Sequence, residues 1–194
     1  MDDTTYPARL RDIFDPPLLL YGKGSMPIFD DEAAIAVVGT RNCTAYGLDV
    51  ASQLGYELAK QGALVLSGMA KGIDGAAMKG ALRAGGFTAA VLGGGVDVVY
   101  PAENRRIYED VVATGVVLSE YPPGTEPIAS HFPVRNRILS GLSLAAVVVE
   151  APERSGALIT ASTALEQGRE VFAVPGPINA PDSKGCNALI RDGA

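Results

Sequence analysis

The residue types able to do chemistry sit in short glycine-bearing turns. Gly39-Thr40-Arg41, then Ser67-Gly68-Met69-Ala70-Lys71-Gly72-Ile73-Asp74, then Gly93-Gly94-Gly95-Val96-Asp97, and later Ser155-Gly156 each set glycine beside a hydroxyl or a charge. Glycine lets a backbone come close to a phosphate, and a helix that starts after such a turn offers unpaired N–H groups to an anion. Several of these turns along one edge would form an anion-binding rim, with Arg41, Lys71, Arg135 and Arg137 as its cations. A second cluster, Ser130-His131-Phe132-Pro133-Val134-Arg135-Asn136-Arg137, combines an aromatic ring, two guanidinium groups and an amide. Guanidinium forks suit phosphate oxygens, and an aromatic ring gives an unpaired base a sequence-tolerant stacking platform. The competing structural reading puts Phe132 in the core, pairs the arginines with Glu120 and Glu150, and leaves His131 hydrogen-bonded or exposed.

Other chemistries lack their residues. One histidine and no nucleophile elbow of the form GxSxG leave Ser-His or Cys-His catalysis little to work with. Cys43 and Cys186 are too few for a disulfide framework and have no zinc-ligand spacing. Both read as small packing residues, and no metal site is expected. No GxxxxGK[ST] loop occurs, and no GxGxxG follows the first strand with an acid about 20 residues on. The expectation is a protein without a nucleotide cofactor.

The apolar pattern supplies the scaffold these turns need. Runs at 35–39, 63–67, 87–92, 116–119, 144–150 and 171–174 read as buried strands. Helical spacing fills 46–61, with Val50, Leu54 and Leu58 apolar, then 73–84, then 102–113 behind Pro101, the stretch from Val134, and 156–167. Strands alternating with such helices make βαβ units. The fold class is therefore α/β: an extended Rossmann-like, mainly parallel, doubly wound sheet with helices on both faces. Open sheets of this kind bind ligands beyond the carboxyl ends of their strands, where the turns above fall. Tyr6-Pro7, Pro16-Pro17 and Gly22-Lys23-Gly24 interrupt the first residues, so 1–30 read as an N-terminal arm or small extension and 31–194 as the Rossmann-like domain. Residues 185–194 begin a helix and stop, from which a longer natural chain is expected.

With 194 residues, 47% hydrophobic and 20% charged, the chain can bury one sizeable core and is no disordered tract. No apolar run approaches the roughly 18 residues of a membrane span, and no secretory leader is visible, so a cytoplasmic location is expected. The net charge of −6 argues at first against nucleic acid. Residues 1–39, however, hold 7 acids against 3 bases, while 40–194 hold 15 against 13 and are nearly neutral.

The ordered set of motifs closely resembles the DNA-processing protein A family, known as DprA or Smf. It runs through Val38-Gly39-Thr40-Arg41, the 67–74 turn, Val91 to Asp97 with Tyr100-Pro101, and Phe132-Pro133-Val134-Arg135-Asn136-Arg137-Ile138. Val149-Glu150-Ala151, Ser155 to Ala161, Gly168-Arg169, Val171 to Gly176 and Ser183 to Asn187 continue it. The likeness covers nearly the whole chain, including Tyr6-Pro7 and Asp15-Pro16-Pro17.

What the resemblance implies is a non-enzymatic protein that binds single-stranded DNA taken up in natural transformation, protects it, and helps load RecA recombinase onto it. Carried over by motif, Arg41, Lys71, Phe132, Arg135, Asn136 and Arg137 would line the DNA pocket. Gly39, Ser67, Gly68, Gly72, Ser155 and Gly156 would bring backbone or hydroxyl donors to it. The resemblance also implies a homodimer through the C-terminal part, pointing to Leu189 and Ile190. Two departures stand out: Met78 replaces a histidine common in the family, and the chain has no room for the flanking helical and winged-helix-like domains of many members. The competing class is a nucleotide-binding or N-glycosidic-bond-cleaving Rossmann-like enzyme using Glu120, Glu150, Asp74 or Asp97, although its PGGxGTxxE-type signature is missing. The rim alone does not separate mononucleotide from polynucleotide, because both present phosphate.

Overall fold

The computed structural model describes residues 6–194. Its seven strands are β1 (Tyr21–Gly24), β2 (Ala34–Val38), β3 (Leu64–Ser67), β4 (Thr88–Val91), β5 (Val116–Ser119), β6 (Ala145–Val148) and β7 (Glu170–Ala173). They form one sheet in the order β1-β5-β4-β3-β2-β6-β7, with every pairing parallel except β1 against β5. The helices are α1 (Ala8–Arg11), α2 (Ala45–Lys60), α3 (Ile73–Arg83), α4 (Arg105–Thr114), α5 (His131–Gly141), α6 (Gly156–Glu166) and α7 (Lys184–Arg191). No helix among the described residues is long and apolar enough to cross a membrane.

The five strands β2 to β6 are short, apolar and buried, as a parallel sheet under two helical layers requires, while the edge strands β1 and β7 are largely exposed. The pleat sorts their side chains. Ala34, Ala36, Val38, Leu64 and Leu66 enter one core with Ile138, Leu139, Ala157 and Ala161 from α5 and α6. Val37 and Val65 point the other way, to Ala51 and Ala59 of α2 and Ile73, Ala77 and Ala81 of α3. A third cluster sets Ile107, Tyr108 and Val111 of α4 against Met78, Ala90 and Val117. Met78 is thus a fully buried packing residue.

Three elements differ from the sequence reading, each for a packing reason. In α2 the fully buried stripe is Gly47, Ala51, Gly55 and Ala59, while Val50, Leu54 and Leu58 are only half-buried at its flanks. Small residues at a spacing of four let α3 lie close, and the larger chains close the margins. α5 begins at His131 rather than Val134, because Pro133 falls in the first turn, where no backbone N–H is needed. Behind Pro101 a 3-10 turn, Ala102–Asn104, precedes α4. As for residues before 31, Tyr21–Gly24 completes the sheet edge and Leu10, Ile13 and Phe29 lie in the main core.

Candidate functional site

Strands β2 and β6 are sheet neighbours, but the chain turns toward β3 after one and toward β7 after the other. Helices α2 and α6 therefore cover opposite faces, and a crevice opens between the two strand ends. There the structure has a cleft of about 510 Å³.

One helix start at this crevice is already occupied. The Glu150 carboxylate, buried just after β6, accepts from Thr44 N at 2.8 Å and from the Thr44 hydroxyl at 2.7 Å. Thr44 in turn accepts from Gly47 N, and so caps α2. The other start is open. Ser155 caps α6 by accepting from Ala157 N, Gly156 is exposed with open space around it, and Arg154 stands beside them. Of the two dipole ends, α6 is the one presented to an anion.

The back of the cleft is built around Gly68. Asp74 accepts through Oδ2 from Gly68 N at 3.1 Å and Ala70 N at 3.2 Å, while Arg135 donates from Nη1 to the Gly68 carbonyl at 2.9 Å. A Cβ on Gly68 would stand 2.5 Å from Arg135 Nη2 and 2.7 Å from Asp74 Oδ2, so only glycine fits between them. Burial pushes the Asp74 carboxyl up, with Arg135 and the two N–H groups opposing. Burial pulls Arg135 down to about 10, with Asp74 opposing, so its guanidinium stays charged at neutral pH.

At the mouth, three flat groups pack together, the two rings tilted 35° to each other. The Arg41 guanidinium lies 4.8 Å from the Phe132 ring centre, and the Tyr100 ring packs on Phe132 with centroids 5.7 Å apart. Lys71 lies in a side pocket with Arg41, Tyr100 and Phe132, its ammonium held by the exposed Glu103 carboxylate. His131 bonds the Gly93 carbonyl through Nδ1 at 2.9 Å and stacks on Tyr121, which is the structural role read for it.

The structure thus brings Gly39, Arg41, Gly68, Lys71, Phe132, Arg135, Asn136, Ser155 and Gly156 together around the cleft and its side pocket. It places three others elsewhere. Ser67 is fully buried and donates to the Val37 carbonyl at 2.7 Å, because it is the inward residue at the end of β3. Gly72 sits beneath the β2 turn at φ +75°, where a Cβ would meet the Thr40 and Arg41 carbonyls at 2.5 and 2.7 Å. Arg137 makes a two-pronged pair with Glu120, at 2.8 and 2.7 Å, and also bonds Asp15. The structural reading of the arginines therefore fits Arg137 with Glu120, whereas Arg135 faces Gly68. Leu189 is half-buried against the main core and Ile190 is more exposed.

Tyr100, Arg154 and Thr160 also line the cleft and were not singled out as binding residues by sequence reasoning. Arg154 directly precedes Ser155, which was signal enough. Thr160 follows Gly156 by four residues, one helical turn, so it shares that face.

A family model for DNA recombination-mediator protein A matches residues 1–194. The DNA processing protein DprA of Bacillus subtilis (strain 168) is 47% identical over 189 residues, covering 97% of this chain and 64% of its own. The Streptococcus pneumoniae DprA is 45% identical over 192 residues, and its X-ray structure superposes with a TM-score of 0.94, covering 99% of this chain and 67% of its own. The Helicobacter pylori DNA processing protein A, solved for its single-stranded DNA binding mode, superposes with a TM-score of 0.89 at 32% identity, covering 97% of this chain and 85% of its own. The chain thus spans about two thirds of the length of the first two relatives.

Proposed function

The chain belongs to the DNA recombination-mediator protein A family, and from that premise we propose that its cleft binds single-stranded DNA. In this reading the protein acts in the cytoplasm during natural transformation and recombination, protects incoming strands, and helps load RecA recombinase onto them. It works as a homodimer and carries out no catalysis. The observation that carries the DNA reading is the Arg41-Phe132-Tyr100 cluster beside the open start of α6. A stacking platform next to an anion seat suits a flexible strand, whose bases can splay and whose phosphates follow one another, better than a stiff duplex. The Helicobacter pylori relative, described for single-stranded DNA binding, supports it.

The non-catalytic part of the proposal draws on the four candidate carboxylates. Glu120 is paired with Arg137, Glu150 with Thr44, Asp74 with the Gly68 and Ala70 amides, and Asp97 with the Gly124 amide. Each already holds part of the fold. The test is a mobility-shift titration in which single-stranded DNA, duplex of equal length and mononucleotide compete at stated salt. Single strands should win. Equal competition by duplex, or tight mononucleotide binding, would favour the nucleotide-binding enzyme reading, and so would release of free base or phosphate.

A further inference from the structure

Outside the cleft, a second concavity carries charge that the chain does not neutralise. A groove of about 300 Å³ lies between α2 and α3, lined by Leu48 and Ser52 on one side and by Gly72, Gly75, Ala76 and Lys79 on the other. Helical spacing prolongs it. In α2 the row that starts at Leu48 and Ser52 continues one turn at a time to Tyr56 and Lys60, a run of about 18 Å. In α3 the row of Ala76 and Lys79 continues to Arg83. The two rows meet at Tyr56, whose ring centre lies 5.9 Å from the Lys60 ammonium and 5.5 Å from the Arg83 guanidinium.

This is an acidic chain, and elsewhere on its surface cations meet acids: Arg9 with Asp30, Lys71 with Glu103, Arg137 with Glu120 and Lys184 with Glu153. Among the described residues, no carboxylate pairs with Lys60, Lys79 or Arg83. The acids of α2, Asp49 and Glu57, each stand one position past the row, about 100° round the helix. The Tyr56 ring holds two of the cations by its face, as the Phe132 ring holds Arg41 in the cleft. Glycine and alanine make the floor, so a polymer backbone can come close.

Cations in file over a floor without large side chains suit a ligand with successive negative charges, and the position of the groove says which. Its upper end is Gly72, which lies against the Thr40 and Arg41 carbonyls and directly follows Lys71 of the side pocket. A strand that leaves the cleft past Arg41 and Lys71 therefore meets the groove next. We propose that the single strand held in the cleft continues into the α2–α3 groove, where Lys79, Arg83 and Lys60 carry its following phosphates and Ser52 offers a hydroxyl donor. The groove reads no sequence and lengthens the footprint. This rests on the single-stranded DNA reading of the cleft and adds a second surface to it.

The test is fluorescence anisotropy across a salt series with two labelled strands of mixed sequence. One has about five nucleotides, to fill the cleft alone, and the other about sixteen, to reach the groove, both within the range of single-strand-binding modules. The proteins are the wild type, Lys79→Gln and the triple variant Lys60→Gln, Lys79→Gln, Arg83→Gln, each with its melting curve. Each phosphate contact adds roughly 0.7 to the slope of log affinity against log salt, so on the longer strand Lys79→Gln should flatten the slope by up to about 0.7 and the triple variant by up to about 2. Over a tenfold drop in salt the triple variant should then gain up to roughly a hundredfold less affinity than wild type. On the shorter strand the three proteins should agree. Variants that keep the wild-type slope on the longer strand would overturn the groove. Equal losses on both strands would overturn it too, because they report a weaker overall field and not a contact. A wild type that binds neither strand would instead overturn the reading on which the groove rests. If the triple variant melts early, Lys79→Gln decides alone, since Lys79 is exposed and bonds no other side chain among the described residues.

Discussion

Arg41 and Arg137 come from the same sequence argument, and the structure sets them in opposite circumstances. Arg41 is exposed at the cleft mouth, its guanidinium over the Phe132 ring. Arg137 is clamped to Glu120 with both side chains mostly covered, at 16% and 17% exposure. Removing each should therefore disturb a different quantity. A phosphate contact to a single strand contributes roughly 0.7 to the slope of log affinity against log salt, so Arg41→Ala should flatten that slope by up to this amount. Over a tenfold rise in salt the variant would then lose about fivefold less affinity than wild type, starting from weaker binding at low salt. Its melting point should barely move, since an exposed substitution usually stays within about 0.5 kcal/mol.

Arg137→Ala should do the reverse. It leaves the half-buried Glu120 carboxylate without its two donors, at a cost of about 1–3 kcal/mol. A domain of this size shifts its midpoint by roughly 2–4 °C for each kcal/mol, so the melting point should fall by several degrees with the salt slope unchanged. Phe132→Ala separates the terms again, lowering affinity about equally at every salt because the ring carries no charge. The assays are fluorescence anisotropy with a labelled strand across a salt series, and thermal melting. A folded Arg137→Ala that flattened the slope as much as Arg41→Ala would refute the separation. So would an Arg41→Ala with the wild-type slope.

Gly68→Ala should lose about 1–3 kcal/mol of stability and weaken strand binding together, because the new methyl displaces Arg135 and Asp74; wild-type melting and affinity in this variant would exclude that packing. Burial raises the Cys186 thiol from the ordinary value near 9 to about 11. Its share of stability is therefore complete below pH 9 and lost as pH climbs toward 11, so denaturant midpoints of wild type should fall across that window more steeply than those of Cys186→Ala; parallel curves would contradict it. Ile190→Glu should move the proposed dimer toward monomer without unfolding it, since Ile190 is exposed whereas Leu189 packs on the core; sedimentation in which wild type is already monomeric at high concentration would count against the dimer.

The strand-end turns were legible because glycine, hydroxyl and cation together are rare except where backbone must meet something else. The direction of individual side chains was less so. With a helix begun at Val134, the loop cluster holds Phe132, Arg135, Asn136 and Arg137 as one group. With α5 begun at His131, Phe132, Arg135 and Asn136 stand at i, i+3 and i+4 on one face, and Arg137 is turned to another. Arg135 and Arg137 stand two residues apart and cannot share a face wherever the helix starts, so grouping them by motif alone hid the turn that sends Arg137 to its ion pair with Glu120. Ser67 was misplaced because β3 is covered on both faces, so its hydroxyl is buried whichever way alternation turns it and donates to the Val37 carbonyl of β2. β1 had no signal of its own. Tyr21-Gly22-Lys23-Gly24 carries no apolar alternation, and it becomes a strand because β5 offers an unpaired edge.

The missing dinucleotide fingerprint also has a physical reading. In a nicotinamide-binding sheet the start of the helix after the first strand of the fold holds a pyrophosphate. Here that helix is α2, and its start holds the carboxylate of Glu150, which bonds Thr44 twice and leaves Gly47 no room for a Cβ. A pyrophosphate placed there would meet a buried negative charge. The same carboxylate, reaching across from the end of β6, ties the two sides of the crevice together, with Thr40 N donating to the Glu150 carbonyl at 2.7 Å. The helix start left open is one strand over, at α6, where Arg41 and Arg154 line the same cleft. On the proposed single-stranded DNA reading, that placement also answers how a chain of net charge −6 would hold an acidic polymer. Charges beyond about 10 Å are largely screened at 0.1 M salt, so the affinity of the cleft is set by the arginines and the helix end that line it and not by the acids of residues 1–39.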